Sequence, residues 1–152
     1  MSYDLDRFLT AQEPVYARVK EELRHGRKRS HWMWFVFPQI AGLGSSDMAQ
    51  RYAIGSLDEA REYLAHPVLG LRLREVTALV MAIKDKTIHE IFGAPDDLKF
   101  HSCMTLFHAA DPGEKLFKAA LEKYFGGRPD PLTLEKIAKS SRRGAPRKTW
   151  VA

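Results

Sequence analysis

The sequence predicts an all-α fold, a single compact domain in which about seven to eight helices pack orthogonally. Apolar residues recur three or four positions apart through much of the chain, which is the spacing of a core-facing helix stripe. Serine, threonine, aspartate or proline begins most of these segments, and glycine ends several of them. One short aromatic run has the composition of a buried strand, but no second segment could pair with it.

The N-terminal part is predicted to contain two helices and then the aromatic run. Asp4 can cap the first helix, and Pro14 suits the first turn of a second helix that ends at Gly26. The aromatic run, residues 30–39, reads Ser-His-Trp-Met-Trp-Phe-Val-Phe-Pro-Gln. Because an isolated strand would leave its backbone groups unpaired, we interpret this run as a buried short helix or irregular segment.

The clearest helix pattern lies in the middle of the chain. Pro67 opens a segment with one apolar stripe from Leu69 to Ile83, which we interpret as the central core helix. Before it, Ser56 and Glu59 have the spacing of a capping box, in which each side chain satisfies a free backbone donor.

The C-terminal part is predicted to hold further helices and then a tail. Helices are expected after Thr87, after Pro95, before Gly126 and after Asp130. Residues 1–138 should form the single helical domain, and residues 139–152 a flexible basic tail on which Trp150 is a candidate to dock back.

The charge is unevenly distributed along the chain. The formal net charge is +5, from 24 basic and 19 acidic residues. Five cations lie in the tail, so the body of the chain up to residue 138 is formally neutral. The tail cations are Lys139, Arg142, Arg143, Arg147 and Lys148. A neutral body argues against nucleic acid as a partner, because nucleic-acid binding needs clustered charge on the fold itself.

Composition also bears on location and cofactors. The one cysteine, Cys103, cannot form an internal disulfide, and no leader or membrane-length apolar run is visible. The histidines show no metal-binding spacing, and there is no phosphate-binding glycine loop. We expect a cytoplasmic protein without membrane contact, metal or cofactor, in which Cys103 is an inert core residue.

The predicted helix after Pro95 carries two polar combinations. Asp97 and His101 are four residues apart, so the aspartate could orient the histidine as a catalytic base, although an ordinary solvated pair fits as well. Lys99 and Ser102 near the helix start could hold an anion, or could be exposed surface.

The aromatic run carries a third candidate site. Trp32 and Trp34 each need a partner for the indole N–H, and His31 and Gln39 flank them. Such a set could stack a planar ring, and Tyr52 is a further candidate for its lining. The alternative is an aromatic core cluster with no ligand.

Three stretches resemble a known family, the bacterial domain-of-unknown-function family 1810. They are residues 31–39, 48–54 and 97–107, and the likeness extends over nearly the whole chain to about residue 138. The resemblance implies a compact, mostly helical domain and brings no established reaction. The positions that match the family pattern form our predicted ligand-binding set, His31, Trp32, Trp34, Gln39, Tyr52, Lys99, Ser102 and Thr105. Cys103 stands where the pattern has a second serine, and His101 is not part of the pattern.

Two functions are therefore open. The first is a pocket for an anionic or nucleotide-like small molecule, with glycosidic-bond or phosphate chemistry if it is catalytic. The second is a non-enzymatic interaction module that uses exposed Trp32 or Trp34, with the basic segment of residues 24–29 and the basic tail steering an acidic partner. A concave cleft at the aromatic run favours the first, and a flat apolar patch favours the second.

Overall fold

The computed structural model describes residues 3–150, with side chains through Ser140, and this part of the chain is all-α. Ten helices follow one another in it: α1 (Asp6–Gln12), α2 (Tyr16–Arg24), α3 (Met33–Val36), α4 (Asp47–Arg51), α5 (Leu57–Ala65), α6 (Leu69–Met81), α7 (Ile88–Phe92), α8 (Asp96–Ala110), α9 (Lys115–Phe125) and α10 (Pro131–Trp150). The predicted fold class is confirmed. The ten helices of the described residues are more than the seven to eight predicted, and three of them, α3, α4 and α7, have only four or five residues each.

The central helix is α8, and the prediction that α6 has this role is wrong. Helix α8 packs against α5, α7, α9 and α10, whereas α6 packs against α2, α5 and α9. Residues 102–107 of α8 are all buried, so apolar or small side chains surround most of its circumference. A helix enclosed in this way has no apolar stripe, which is why periodicity points to the more amphipathic α6.

The aromatic run contains one buried short helix with irregular segments on either side, in agreement with the prediction of a short helix or irregular segment. Helix α3 lies within it, and Trp32, Met33 and Phe37 are each no more than 1% exposed. Phe37 is the centre of an aromatic cluster, since its ring centroid lies 5.2 Å from that of Phe100 and 5.7 Å from that of Phe92. This contact fixes the run against α7 and α8.

Two predicted caps differ in detail. Ser56 accepts a hydrogen bond from the Glu59 N–H, but the Glu59 carboxylate accepts from Gly55 N–H instead of closing a capping box with Ser56. Asp4 does not cap α1, whose N-cap position is Leu5. A complete capping box is present at α7, where Thr87 and Glu90 bond each other's backbone.

Helix α10 begins at a cap that Asp130 provides, with the Thr133 N–H donating to its carboxylate at 3.2 Å. The helix continues through Trp150. The side chains from 141 onward lie outside the described residues, so the docking of Trp150 and the domain limit at residue 138 stay predictions.

Candidate functional site

A small cleft lies beside the aromatic run. Its volume is about 140 Å³, and Trp34, Gln39, Gln50 and Tyr52 line it together with Ile40, Ala41, Gly42, Gly44, Ala49 and Ala53. An isolated parallel bridge between Ile40 and Ile54 builds one wall. The bridge pairs two distant segments through two backbone hydrogen bonds of 2.8 Å, and both isoleucines are buried. Three of the predicted ligand-binding residues, Trp34, Gln39 and Tyr52, are therefore brought together.

Lys99, on helix α8, contacts the Trp34 ring but is not one of the residues that line the cleft. Its Nζ lies 4.9 Å from the centroid of the half-buried Trp34 ring, within the range of a cation–π contact. The Asp96 carboxylate lies 3.5 Å from the same ammonium group through Oδ1. Its other oxygen, Oδ2, forms an ion pair with Lys28 Nζ at 2.8 Å. Two cations thus share one carboxylate, so the three groups carry a net positive charge next to Trp34.

Trp32 belongs to the interior instead of the cleft. It is 1% exposed, and its indole Nε1–H donates to Glu22 Oε1 at 2.9 Å. The Glu22 carboxylate also accepts from the backbone N–H groups of Arg29 and Ser30 and from the Ser30 hydroxyl. Burial tends to raise the pKa of Glu22, but these hydrogen bonds outweigh it and lower the pKa to about 2. The carboxylate is therefore ionised at neutral pH, and its hydrogen bonds hold the start of the aromatic run against α2.

Ser102 and Thr105 also face the interior. The Thr133 hydroxyl donates to the Asp130 carboxylate at 2.5 Å, and the Ser102 hydroxyl forms a hydrogen bond of 2.8 Å with the same Thr133 oxygen. Thr105 donates to the His101 carbonyl and accepts from the Asp130 N–H. Both hydroxyls attach α8 to the start of α10, which explains their presence without a ligand.

The predicted pair of Asp97 and His101 does not form. The Asp97 carboxylate lies 3.0 Å from Nδ1 of His89 on α7. His101 turns the other way, where its Nε2 bonds the Arg128 carbonyl at 2.8 Å and its ring stacks on Phe125 with centroids 3.8 Å apart. The ring stack and the hydrogen bond give His101 a structural role. Asp97 orients His89 instead.

The predicted anion site at the start of α8 is not free either. The Leu98 N–H donates to the Asp97 carboxylate, and the Lys99 N–H donates to the Pro95 carbonyl. His31 is exposed and does not line the cleft. The interaction-module hypothesis requires a tryptophan at the surface. Because Trp32 is buried, Trp34 is the tryptophan among the residues with described side chains that could serve this purpose.

The sequence patterns did not single out Glu22 or Asp96, and they placed Lys28 only within the basic segment of residues 24–29. A signal for Glu22 was present, because it lies between Val19 and Leu23 on the inward face of α2. A glutamate in that position must have buried donors around it. Asp96 and Lys28 are 68 positions apart in the printed sequence, and no local spacing relates them.

Cys103 is fully buried on α8, and burial raises the pKa of its thiol. We expect native protein to react with a thiol reagent such as DTNB on the order of 100-fold more slowly than protein unfolded in guanidinium, because reaction requires opening of the core. Absorbance at the thionitrobenzoate band would follow both reactions. Equal rates in the two conditions would contradict the buried position.

The described residues contain neither a metal-binding cluster nor a helix that could cross a membrane. No group of three or more histidine, cysteine, aspartate or glutamate side chains in them is arranged to hold a metal ion. None of the helices that could be searched combines the length and the apolar character required to cross a membrane.

The fold and the cleft define a compact all-α domain with an aromatic, polar-edged depression on its surface. The family model described as "Protein of unknown function (DUF1810)" matches residues 2–137. The chain therefore belongs to the DUF1810 family. It is also similar to the conserved hypothetical protein Rv1873 from Mycobacterium tuberculosis, whose crystal structure aligns with a TM-score of 0.88 and 57% sequence identity, over 90% of this chain and 97% of that chain. No curated protein matches the chain.

Proposed function

We propose that the cleft beside Trp34 binds a small anionic molecule that carries a planar ring, such as a nucleotide. One observation carries this proposal. An ammonium group, Lys99 Nζ, lies against a half-buried tryptophan that also lines a concave cleft with the side chains of Gln39 and Tyr52. Ligand pockets commonly combine an aromatic wall with a few polar groups in this way.

The size of the cleft limits what it can enclose. A cavity of about 150 Å³ holds one benzene-sized ring. The present cleft, at about 140 Å³, therefore suits a single ring, and the remainder of a nucleotide would extend along the surface. The Gln39 and Gln50 amides supply both donors and acceptors for the edge of a base.

The charges beside Trp34 favour an anionic ligand. Lys28 and Lys99 share Asp96, which leaves a net positive charge near the ring. The Lys99 side chain is 20% exposed, so part of it is in contact with solvent. The proposal is limited to binding, because the described residues that line the cleft include no carboxylate, imidazole or thiol side chain that could act as an acid, a base or a nucleophile.

Variants at Trp34 and Lys99 test the proposal. We expect AMP or ADP-ribose to raise the melting temperature of the native chain in a saturable manner. Trp34→Leu should weaken binding roughly tenfold or more, since stacking of a base on an aromatic ring contributes about 1–3 kcal/mol. Lys99→Met should weaken binding about fivefold, in line with a partly exposed cation–π and charge contact.

Lys118→Met is the matched control, because Lys118 is an exposed lysine on α9 away from the cleft. It should leave the ligand-induced shift unchanged. If the shifts of Trp34→Leu and Lys99→Met equal that of the native chain, the cleft is not the binding site. The absence of any saturable shift with either nucleotide would reject the nucleotide-like ligand.

A further inference from the structure

A second and larger cleft lies between the segment after α2 and helix α7. Its volume is about 500 Å³, which is within the range of small-molecule pockets, and residues 27–28, 86 and 89–93 line it. Two hydrogen bonds hold these distant segments together. The Lys28 N–H donates to the Ile91 carbonyl at 2.8 Å, and the Lys86 ammonium donates to the Gly26 carbonyl at 3.0 Å.

The lining of this basic cleft has an excess of positive charge. Arg27, Lys28 and Lys86 line it against one carboxylate, Glu90. Arg27 and Lys86 are exposed, and neither forms an ion pair among the residues with described side chains. The Glu90 carboxylate accepts from Thr87 N–H at 2.7 Å, so part of its hydrogen-bonding capacity is used in the cap of α7. The fold therefore gathers cations on one face of a body that is neutral as a whole.

An oriented imidazole completes the lining. Nδ1 of His89 bonds the Asp97 carboxylate at 3.0 Å, and the side chain of His89 is 66% exposed. The bond to Asp97 fixes the ring and leaves Nε2 as its free nitrogen. Lys28, one of the three lining cations, forms an ion pair with Asp96 at 2.8 Å, which keeps its ammonium in place.

We propose that this basic cleft binds the phosphate group of a small phosphorylated molecule, through Arg27, Lys86 and Nε2 of His89. A guanidinium matches two phosphate oxygens with its planar fork, an ammonium donates to a further oxygen, and Nε2 of the His89 ring is placed to hydrogen-bond the phosphate group. Concave walls and a fixed histidine suit a small molecule better than the backbone of a polymer. No lining residue is shared with the cleft at Trp34, so this inference is independent of the function proposed above.

Titration of the full chain with inorganic phosphate and with glycerol 3-phosphate, at constant ionic strength, tests the proposal. Calorimetry should show saturable binding of both, and the carbon-bound proton signals of the His89 ring should shift in parallel. Arg27→Gln should weaken binding about tenfold, the effect of losing one charge-assisted contact. Because Arg27 is exposed, this variant is expected to fold normally, which its circular dichroism spectrum would verify.

Lys118→Gln removes one positive charge elsewhere and should bind phosphate as tightly as the native chain. Trp34→Leu should also retain phosphate binding, which separates this site from the nucleotide cleft. Equal weakening in Arg27→Gln and Lys118→Gln would show that only net charge matters and would overturn the proposal. So would tight binding of an oligonucleotide together with no saturable binding of glycerol 3-phosphate.

Discussion

Replacing Glu22 by alanine is expected to lower the free energy of unfolding by about 3–5 kcal/mol, because several buried donors would lose their acceptor at once. The donors are the Trp32 indole, the Ser30 hydroxyl and the backbone N–H groups of Arg29 and Ser30. Urea denaturation followed by circular dichroism measures the loss. Glu21→Ala, on the exposed side of α2, is the matched control and should cost about 0.5 kcal/mol or less.

Acid should remove the same contribution. The pKa of Glu22 is lowered from 4.5 to about 2 in the folded chain, so its stabilisation is present above pH 4.5 and is lost as the pH falls toward 2. The shift corresponds to about 3 kcal/mol. Glu22→Gln, which cannot ionise, should therefore show a shallower loss of stability across this pH window than the native chain. Identical pH profiles for the two proteins would contradict the assignment.

Replacing Gly70 by alanine is expected to destabilise the protein by about 3 kcal/mol, although alanine normally stabilises a helix by about 1 kcal/mol relative to glycine. A Cβ atom at Gly70 would lie 2.1 Å from the Leu64 carbonyl oxygen. This oxygen is backbone, so α5 and α6 would have to move apart.

Gly113→Ala provides the comparison for Gly70→Ala. The nearest atom to a Cβ at Gly113 is Asp111 Oδ1 at 3.5 Å, an ordinary contact. Its free energy of unfolding should change by about 0.5 kcal/mol or less. If urea denaturation gave the two alanine variants equal stability, the close approach of α5 to α6 would be wrong.

Local patterns in the sequence were sufficient for the fold class and for the aromatic run. Residues 30–39 could be assigned to a buried short helix or irregular segment because their composition is apolar and no second convincing strand is visible in the sequence, and residues 33–36 are helical. The central position of α8 could not be predicted in the same way. Its buried face includes Ser102 and Thr105, whose hydroxyls look like surface or site residues until the start of α10 is known to bond them.

The candidate site was predictable only in part, for a related reason. Trp34, Gln39 and Tyr52 line one cleft because the Ile40–Ile54 bridge joins their segments, and that bridge is a long-range feature. Asp97 was paired with the wrong histidine because spacing along one helix cannot reveal a closer partner on another. His89 reaches Asp97 across the turn between α7 and α8.

The carboxylate of Asp96 gives the two clefts a common electrostatic element. Lys28 lines the basic cleft, Lys99 lies against Trp34, and Asp96 pairs with both. An anion that binds Lys99 separates this lysine from Asp96. Because the Asp96 carboxylate then pairs with Lys28 alone, the positive potential of the basic cleft is lowered. By thermodynamic linkage, an anion in the basic cleft must weaken anion binding beside Trp34 by the same coupling free energy. Anions in the two clefts should therefore oppose each other's binding, through a side chain that need not touch either one.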